Sequence, residues 1–248
     1  MPNPRPNGRM TENAGPMVYR NIIFDLDGTL IDSAELTGKI LDEMLGERGA
    51  GKPADRALIR AMDAVGGEPM IAATMAGFTV DPAADLAEFR ARHRTITTPP
   101  TLPFSGVRET LEALHDAGVS MAICSNKPQF LCEKILSDLD MTKHFRAIFG
   151  SMPHRPRKPD PTVAKLALGA LAANPHETIF CGDSIIDVET ARAAGLAVCL
   201  VGWGYGTNHA HKIHPDLVVL PQMVSLVAQV HEGNSLNPLP AISYPRCQ

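Results

Sequence analysis

Two aspartates, one residue apart, end the first apolar run of the sequence and raise a question of chemistry. The stretch FDLDGTLIDS places Asp25 and Asp27 directly after apolar residues and directly before Gly28. Two neighbouring carboxylates disfavour each other's ionisation, so buried chain rarely ends in such a pair without compensation. Either these acids face plain solvent, or a cation such as a metal ion or a lysine side chain lies between them.

The composition is that of an ordinary soluble globular protein. The chain has 248 residues, of which 44% are hydrophobic and 20% charged, enough for one large domain or a core with a smaller domain. The net charge of −4 gives no general basic field for nucleic acid or an anionic membrane. No window approaches the roughly 18 apolar residues of a membrane span. We therefore expect small-molecule partners, with no nucleic acid and no membrane.

The ends of the chain and the cysteines indicate a reducing compartment. Residues 1–17 lack the apolar segment of a secretory signal, and their Pro, Asn and Gly content predicts a disordered lead. Residues 233–248 predict a Pro-rich, extended tail. An odd number of cysteines without a CxxC pair argues against a disulfide framework, so we predict a cytoplasmic protein. The five are Cys124, Cys132, Cys181, Cys199 and Cys247.

From residue 18 onward, short apolar runs alternate with amphipathic helical stretches. The predicted strands are 18–26, 119–126, 147–150, 178–183, 197–204 and 216–220. The predicted helices between and after them are 106–118, 128–139, 161–172, 188–195 and 221–232. Such alternation implies right-handed crossovers and a parallel sheet covered on both faces. The fold class is therefore α/β, with a doubly wound parallel sheet.

One segment, residues 33–99, breaks this alternation. It contains three series of apolar residues at helical spacing and no convincing strand. Asp81 followed by Pro82 gives the third series a helix cap and a first-turn proline. We expect a small helical bundle inserted after the first strand, between the two parts of a core made of residues 18–32 and 100–232.

The polar residues that could bind a ligand or take part in catalysis lie at the ends of the predicted strands. In an open parallel sheet, ligands bind beyond the carboxyl ends of the strands, so side chains placed there converge. That convergence favours carboxylates that ligate a hard cation, with a lysine as additional neutralising charge. The residues placed at this edge are Asp25, Asp27, Ser125, Asn126, Lys127, Lys158, Asp183 and Asp187.

As a set, these motifs resemble those of the haloacid dehalogenase-like (HAD) phosphohydrolases. The resemblance rests on DLDGT, on Ser-Asn after the second strand, on Lys158 in RKPDP, and on GDSIIDVETARAAG. It covers residues 18 to 226, and the helical insert falls where the subfamily with a small helical cap carries it. The resemblance implies a Rossmann-like core and phosphoryl-transfer chemistry.

The resemblance also implies a role for each acid. Asp25 would be the nucleophile that forms an aspartyl-phosphate, and Asp27 the general acid and base. Mg²⁺ would be held by the Asp25 carboxylate, the Asp27 backbone carbonyl and Asp183. Asp187 would either ligate the metal directly or contact the groups that do. A simple helix-capping role for Asp187 is the alternative.

Four further positions would bind the phosphoryl group. The Ser125 hydroxyl and neighbouring backbone N–H groups, including that of Asn126, would contact phosphoryl oxygens. Lys158 would offset their charge in the transition state. Gly28 would let the backbone turn closely behind the phosphate.

The resemblance leaves several functions open. SNKP after the second strand, the short helical cap and the GYG loop look most like phosphoglycolate phosphatases, which predicts hydrolysis of a small phosphate ester such as 2-phosphoglycolate. Pyrophosphate, sugar phosphates and nucleoside monophosphates are other candidate substrates. A phosphosugar mutase of the β-phosphoglucomutase type would share every catalytic residue. Outside the enzymes, the alternative is a non-catalytic module, either receiver-like or ligand-binding, that gathers Asp residues and Mg²⁺. Both a monomer and a homodimer are compatible with the sequence.

Other polar residues carry less specific signals. Lys127 could reach a substrate carboxylate or lie on the surface. His209, His211 and His214 could form a metal triplet, although a mobile loop is the favoured interpretation. The sequence assigns no role to the arginines of the insert, among them Arg48, Arg56 and Arg90.

Overall fold

The computed structural model describes residues 18–63 and 65–232. The predicted lead and tail, together with Cys247, lie outside the described residues. Six strands form one parallel sheet in the order β3-β2-β1-β4-β5-β6. Their bounds are β1 Asn21–Phe24, β2 Ser120–Pro128, β3 Ala147–Ser151, β4 Thr178–Gly182, β5 Ala197–Val201 and β6 Val218–Leu220.

The first strand lies in the middle of the sheet. Phe24 aligns with Ile123 of β2 on one side and with Cys181 of β4 on the other. Side chains alternate between the two faces of a strand, so Ile22 and Phe24 pack into one core cluster and Ile23 into another. A strand that is fully buried on both faces is typical of parallel sheets covered by helices on both sides.

Helices cover both faces, as the alternating pattern predicts. One apolar cluster joins the sheet to α5, α6 and α10, and the other joins it to α7, α8 and α9. The prediction of a doubly wound parallel sheet is confirmed. The core helices are α5 Val107–Asp116, α6 Gln129–Asp138, α7 Thr162–Leu171, α8 Ile185–Ala194, α9 Thr207–Ile213 and α10 Ser225–Glu232.

The inserted segment folds as four helices with an apolar cluster of their own. The sequence predicts three, because the third helix, α3 Gly67–Thr74, begins with Gly67 and carries Pro69, two residues that weaken a local helix signal. Pro69 lies in the first turn, where a missing backbone N–H costs no helical hydrogen bond. The division at residues 33 and 99 remains our interpretation. The cap helices are α1 Ser33–Glu47, α2 Arg56–Met62, α3 Gly67–Thr74 and α4 Pro82–Thr95.

The predicted mobile loop around the three histidines is wrong. His209 and His211 lie on α9, a short helix whose Ala210 is buried against the sheet. His214 follows it, and its ring nitrogen lies 2.9 Å from Nη1 of Arg192. A guanidinium beside this imidazole argues against a metal triplet.

Within residues 18–63 and 65–232, every helix is too short or too polar to span a membrane.

Candidate active site

The carboxyl ends of β1, β2 and β4 open into one cavity. It has a volume of about 410 Å³ and is lined by residues of the sheet edge and of the cap helices. A cavity of this size suits a small ligand. The residues predicted from sequence that line it are Asp25, Asp27, Ser125, Asn126, Lys127, Lys158 and Asp183.

Lys158 joins two of the predicted acids. Its Nζ lies 2.8 Å from Oδ1 of Asp25 and 2.7 Å from Oδ1 of Asp187, and all three side chains are at most a tenth exposed. Burial opposes the charge on Lys158, but the carboxylates of Asp187 and Asp25 outweigh it and raise the pKa of Lys158 well above its usual value. Lys158 is therefore a fixed positive charge beside the first acid of the DLDGT motif.

Three buried carboxylates lie close enough together to hold one cation. One oxygen from each of Asp25, Asp183 and Asp187 can be chosen so that all lie within 4.8 Å of one another. Burial, followed by the negative charges of Asp187 and Asp25, raises the pKa of Asp183 well above its usual value. Hard divalent cations prefer such oxygen ligands. The residues present therefore fit a divalent metal ion.

Asp187 performs the capping role and contacts the site as well. Its Oδ2 accepts hydrogen bonds from the Ser184 hydroxyl at 2.7 Å and from the backbone N–H of Ser184 at 3.0 Å. The Ser184 hydroxyl in turn accepts the backbone N–H of Asp187, completing a capping box at the start of α8. Because Oδ1 binds Lys158, this geometry suits a residue that positions the lysine and the metal ligands.

The second acid of the motif has its own lysine. Nζ of Lys127 lies 3.0 and 3.3 Å from the two carboxylate oxygens of Asp27. The side chains are only 9% and 10% exposed, so the interpretation of Lys127 as a surface residue is wrong. Burial opposes its charge, yet the charge of Asp27 and its hydrogen bond raise the pKa of Lys127. The sequence places Lys127 at this edge, next to Ser125 and Asn126 at the end of β2, but does not indicate its partner.

We expect Lys127→Met to reduce turnover at least about tenfold and to destabilise the fold. The substitution leaves the Asp27 carboxylate buried without its cation, and breaking a buried pair in this way costs about 3–5 kcal/mol. Phosphate release and denaturant unfolding measure the two effects. Lys165→Met, at an exposed position of α7, is the control and should change neither. A Lys127→Met variant as active and as stable as the wild type would contradict a role for the pair.

The two residues that follow Cys124 have different surroundings. Ser125 is buried and lines the cavity, and its hydroxyl accepts the backbone N–H of Lys127 at 3.3 Å. Asn126 also lines the cavity, but its side-chain amide binds the backbone of Lys158, with the N–H of Lys158 donating at 2.9 Å and the carbonyl oxygen accepting at 3.0 Å. The described contacts of the Asn126 side chain thus position Lys158.

The loop 202–206 fixes Asp183 and the start of the cap. The backbone N–H of Tyr205 donates to Oδ2 of Asp183 at 2.7 Å. The hydroxyl group of Tyr205 donates to Oδ1 of Asp32 at 2.5 Å. Gly28 lies against the Asp183 carboxylate, with φ of +75°, and a Cβ there would come within 2.5 Å of its Oδ2. Glycine is therefore required at position 28 both for the backbone conformation and for the close approach of Asp183.

The cap contributes cavity residues that sequence reasoning missed. Asp63 follows α2, is exposed, and lines the cavity. His93 of α4 is only 1% exposed, and burial and the nearby charge of Lys127 lower its pKa to about 3, so its imidazole is neutral. No local pattern marks either residue, because each is defined by what the cap covers.

A sequence model described as haloacid dehalogenase-like hydrolase matches residues 22–201. A phosphoglycolate phosphatase of Xylella fastidiosa is 32% identical over 229 residues, which is 91% of this chain and 95% of the relative. A phosphoglycolate phosphatase of Pseudomonas putida is 35% identical over 216 residues, covering 81% of this chain and 76% of the relative.

Solved structures share the fold. A predicted phosphoglycolate phosphatase from Haemophilus somnus superposes with a TM-score of 0.72 at 23% identity, covering 86% of this chain and 99% of that one. CbbY from Rhodobacter sphaeroides, solved in complex with phosphate, gives a TM-score of 0.70 at 22% identity, with 86% and 99% covered. The family match extends over most of the described core, and the motifs that prompted the prediction lie within it. The chain belongs to the haloacid dehalogenase-like hydrolases and is an enzyme of that family.

Proposed function

We propose that the protein hydrolyses a small phosphomonoester, with 2-phosphoglycolate as the best candidate, through an aspartyl-phosphate on Asp25. The observation that carries the proposal is the pairing in the cavity: Asp25 lies against Lys158, and Asp27 lies against Lys127. Two carboxylates with separate environments in one cavity can divide nucleophilic and acid–base roles. Membership of a hydrolase family favours this enzyme over a non-catalytic, receiver-like module.

In the first step, a carboxylate oxygen of Asp25 attacks phosphorus and the bond from phosphorus to the ester oxygen breaks. Asp27 gives a proton to that oxygen, which leaves as an alcohol. Lys158 and the Ser125 hydroxyl bind phosphoryl oxygens, so charge that develops there meets groups already in place. The product of this step is an acyl phosphate on Asp25.

In the second step, Asp27 accepts a proton from a water molecule whose oxygen attacks phosphorus. The bond between phosphorus and Asp25 breaks, and inorganic phosphate leaves. The same residue thus acts as acid and then as base, which restores the starting protonation. A mutase would instead have to keep water from the acyl phosphate.

Mg²⁺ is the metal we propose for the site. Asp25, Asp183 and the backbone carbonyl of Asp27 would hold it, with Asp187 supporting them. When bound, the ion supplies positive charge to the phosphoryl oxygens and offsets the repulsion among the acids.

The substrate proposal draws on the relatives and on the cavity. Two relatives over 30% identical across most of the chain are named phosphoglycolate phosphatases, and about 410 Å³ accommodates a molecule of that size. A cytoplasmic location and a monomer or homodimer complete the proposal. The four described cysteines, all free and buried, support a reducing compartment.

A panel of phosphate esters tests the function. Phosphate release with Mg²⁺ would be measured for 2-phosphoglycolate, pyrophosphate, hexose phosphates and nucleoside monophosphates. We expect 2-phosphoglycolate to give the highest kcat/KM. Another preferred monoester would correct the substrate and keep the reaction. Transfer of phosphate within a sugar, without its release, would show that the enzyme is a mutase and not a phosphatase.

A further inference from the structure

Most arginines of the cap form ion pairs with carboxylates. The Nη2 atoms of Arg48 and Arg56 lie 2.7 Å from Asp85 and 2.6 Å from Asp42, and hydrogen bonds to these acids raise the pKa of both arginines. Their positive charges are therefore compensated within the cap. Ion pairs of the same kind also hold two further arginines, in the pairs Arg60–Asp32, Arg60–Glu35, Arg92–Glu47 and Arg92–Glu88.

Arg90 differs from these arginines. It follows the buried Phe89 on α4, is itself exposed, and lines the cavity. In the described parts of the chain it forms neither an ion pair nor a side-chain hydrogen bond. Its pKa is lowered, first by burial of part of the side chain and then by the positive charge of Arg157. A neighbouring carboxylate would have acted in the opposite direction.

Arg157 approaches the same cavity from the core. It precedes Lys158 in the loop before α7, and its Nη2 donates to the backbone carbonyl of Asn126 at 3.3 Å. Within the described residues it has no carboxylate partner. A cap arginine and a core arginine thus present like charges to one cavity, an arrangement that repels unless an anion lies between them.

The other cationic side chains that line the cavity already have partners. Lys127 binds Asp27, Lys158 binds Asp25 and Asp187, and Arg60 binds Asp32. Of the cavity-lining lysines and arginines in the described chain, Arg90 and Arg157 are thus the two left without a carboxylate. No carboxylate of the described residues neutralises their positive charges.

We propose that Arg90 and Arg157 form a second anion site, which binds a carboxylate or a second phosphate at the far end of the substrate. Guanidinium groups offer paired N–H donors that match the oxygens of either group. An anion held by both residues would join cap and core over the reacting phosphoryl group. The inference rests on the proposed function and assigns the source of its substrate preference.

The experiment measures binding by calorimetry in the Asp25→Asn variant with Mg²⁺, so that no ligand is consumed. The probes are ethyl phosphate, 2-phosphoglycolate and ethylene glycol bisphosphate, which differ in having no second anion, a carboxylate or a phosphate. We expect at least one of the two doubly anionic probes to bind about 10–100-fold more tightly than ethyl phosphate, as hydrogen bonds to charged groups allow. Arg90→Gln and Arg157→Gln, each added to this variant, should remove most of that difference.

Arg94→Gln is the matched control. Arg94 lies one turn further along α4 and stacks on the ring of Phe130, 4.2 Å from its centroid, so its loss should keep the difference. Equal binding of all three probes, or a difference that survives both Arg90→Gln and Arg157→Gln, would overturn the anion site. Failure of the proposed function is a separate result: the wild type would then bind these probes without releasing phosphate from any of them.

Discussion

Asp25→Asn is expected to abolish turnover while the protein stays folded. Asparagine has the same shape, but its amide cannot attack phosphorus, and loss of a nucleophile lowers kcat by about 10⁴-fold or more. The fold should tolerate the change, because Asp25 is one of three crowded carboxylates whose mutual repulsion the substitution relieves. Phosphate release and thermal unfolding of the purified variant measure the two quantities.

Asp116→Asn is the control for this variant. Asp116 is exposed at the end of α5, and its substitution should leave both activity and melting temperature unchanged. An Asp25→Asn variant that keeps more than about a hundredth of the wild-type rate would exclude covalent catalysis by this residue. A variant that is inactive because it is unfolded would be recognised from its melting curve.

Removal of divalent metal is expected to have the second large effect. EDTA should silence phosphate release, and added Mg²⁺ should restore it, since the buried carboxylates of Asp25, Asp183 and Asp187 fit one hard cation. Stability gives an independent readout. At a Mg²⁺ concentration of about 100 times Kd, binding contributes about 2.7 kcal/mol, which raises the melting temperature of a chain this size by about 5–10 °C.

Asp183→Asn separates a specific site from general salt effects. The variant lacks one carboxylate of the cluster, so its melting temperature should respond weakly to Mg²⁺ and equally to NaCl of the same ionic strength. Full activity in excess EDTA, or an equal Mg²⁺ response of wild type and variant, would refute the metal site.

The position of the candidate site was predictable, because the order of the strands places it at one edge of the sheet. Asp25 and Asp183 each follow a strand, and Ser125 lies near the carboxyl end of β2. The carboxyl ends of parallel strands meet at one edge whatever the details of packing. Lys158 was predictable from its motif and its loop before a helix. These inferences need only the alternation of apolar runs and the order of elements along the chain.

The remaining features depend on contacts that no local pattern encodes. The sequence leaves Lys127 either on the surface or in contact with a substrate carboxylate. Its actual partner, Asp27, lies 100 residues earlier and is brought to it only when β2 pairs with β1. Arg90 is one of several cap arginines with similar surroundings in sequence, and only the folded structure shows which of them have acidic partners. The helix α9 escaped prediction because seven residues with three polar side chains at its start carry little periodicity.

The central position of β1 has a consequence for how the chain folds during synthesis. Asn21 leaves the ribosome early, but its partner Ser120 follows about 100 residues later and its partner Thr178 about 160 residues later. At about 5–20 residues per second, the second edge of β1 has no strand to pair with for about 8–30 s. The cap, whose apolar cluster is drawn from residues between Ala34 and Phe89, is complete well before that. The inserted cap can therefore assemble first, beside an apolar strand that needs protection until β4 emerges.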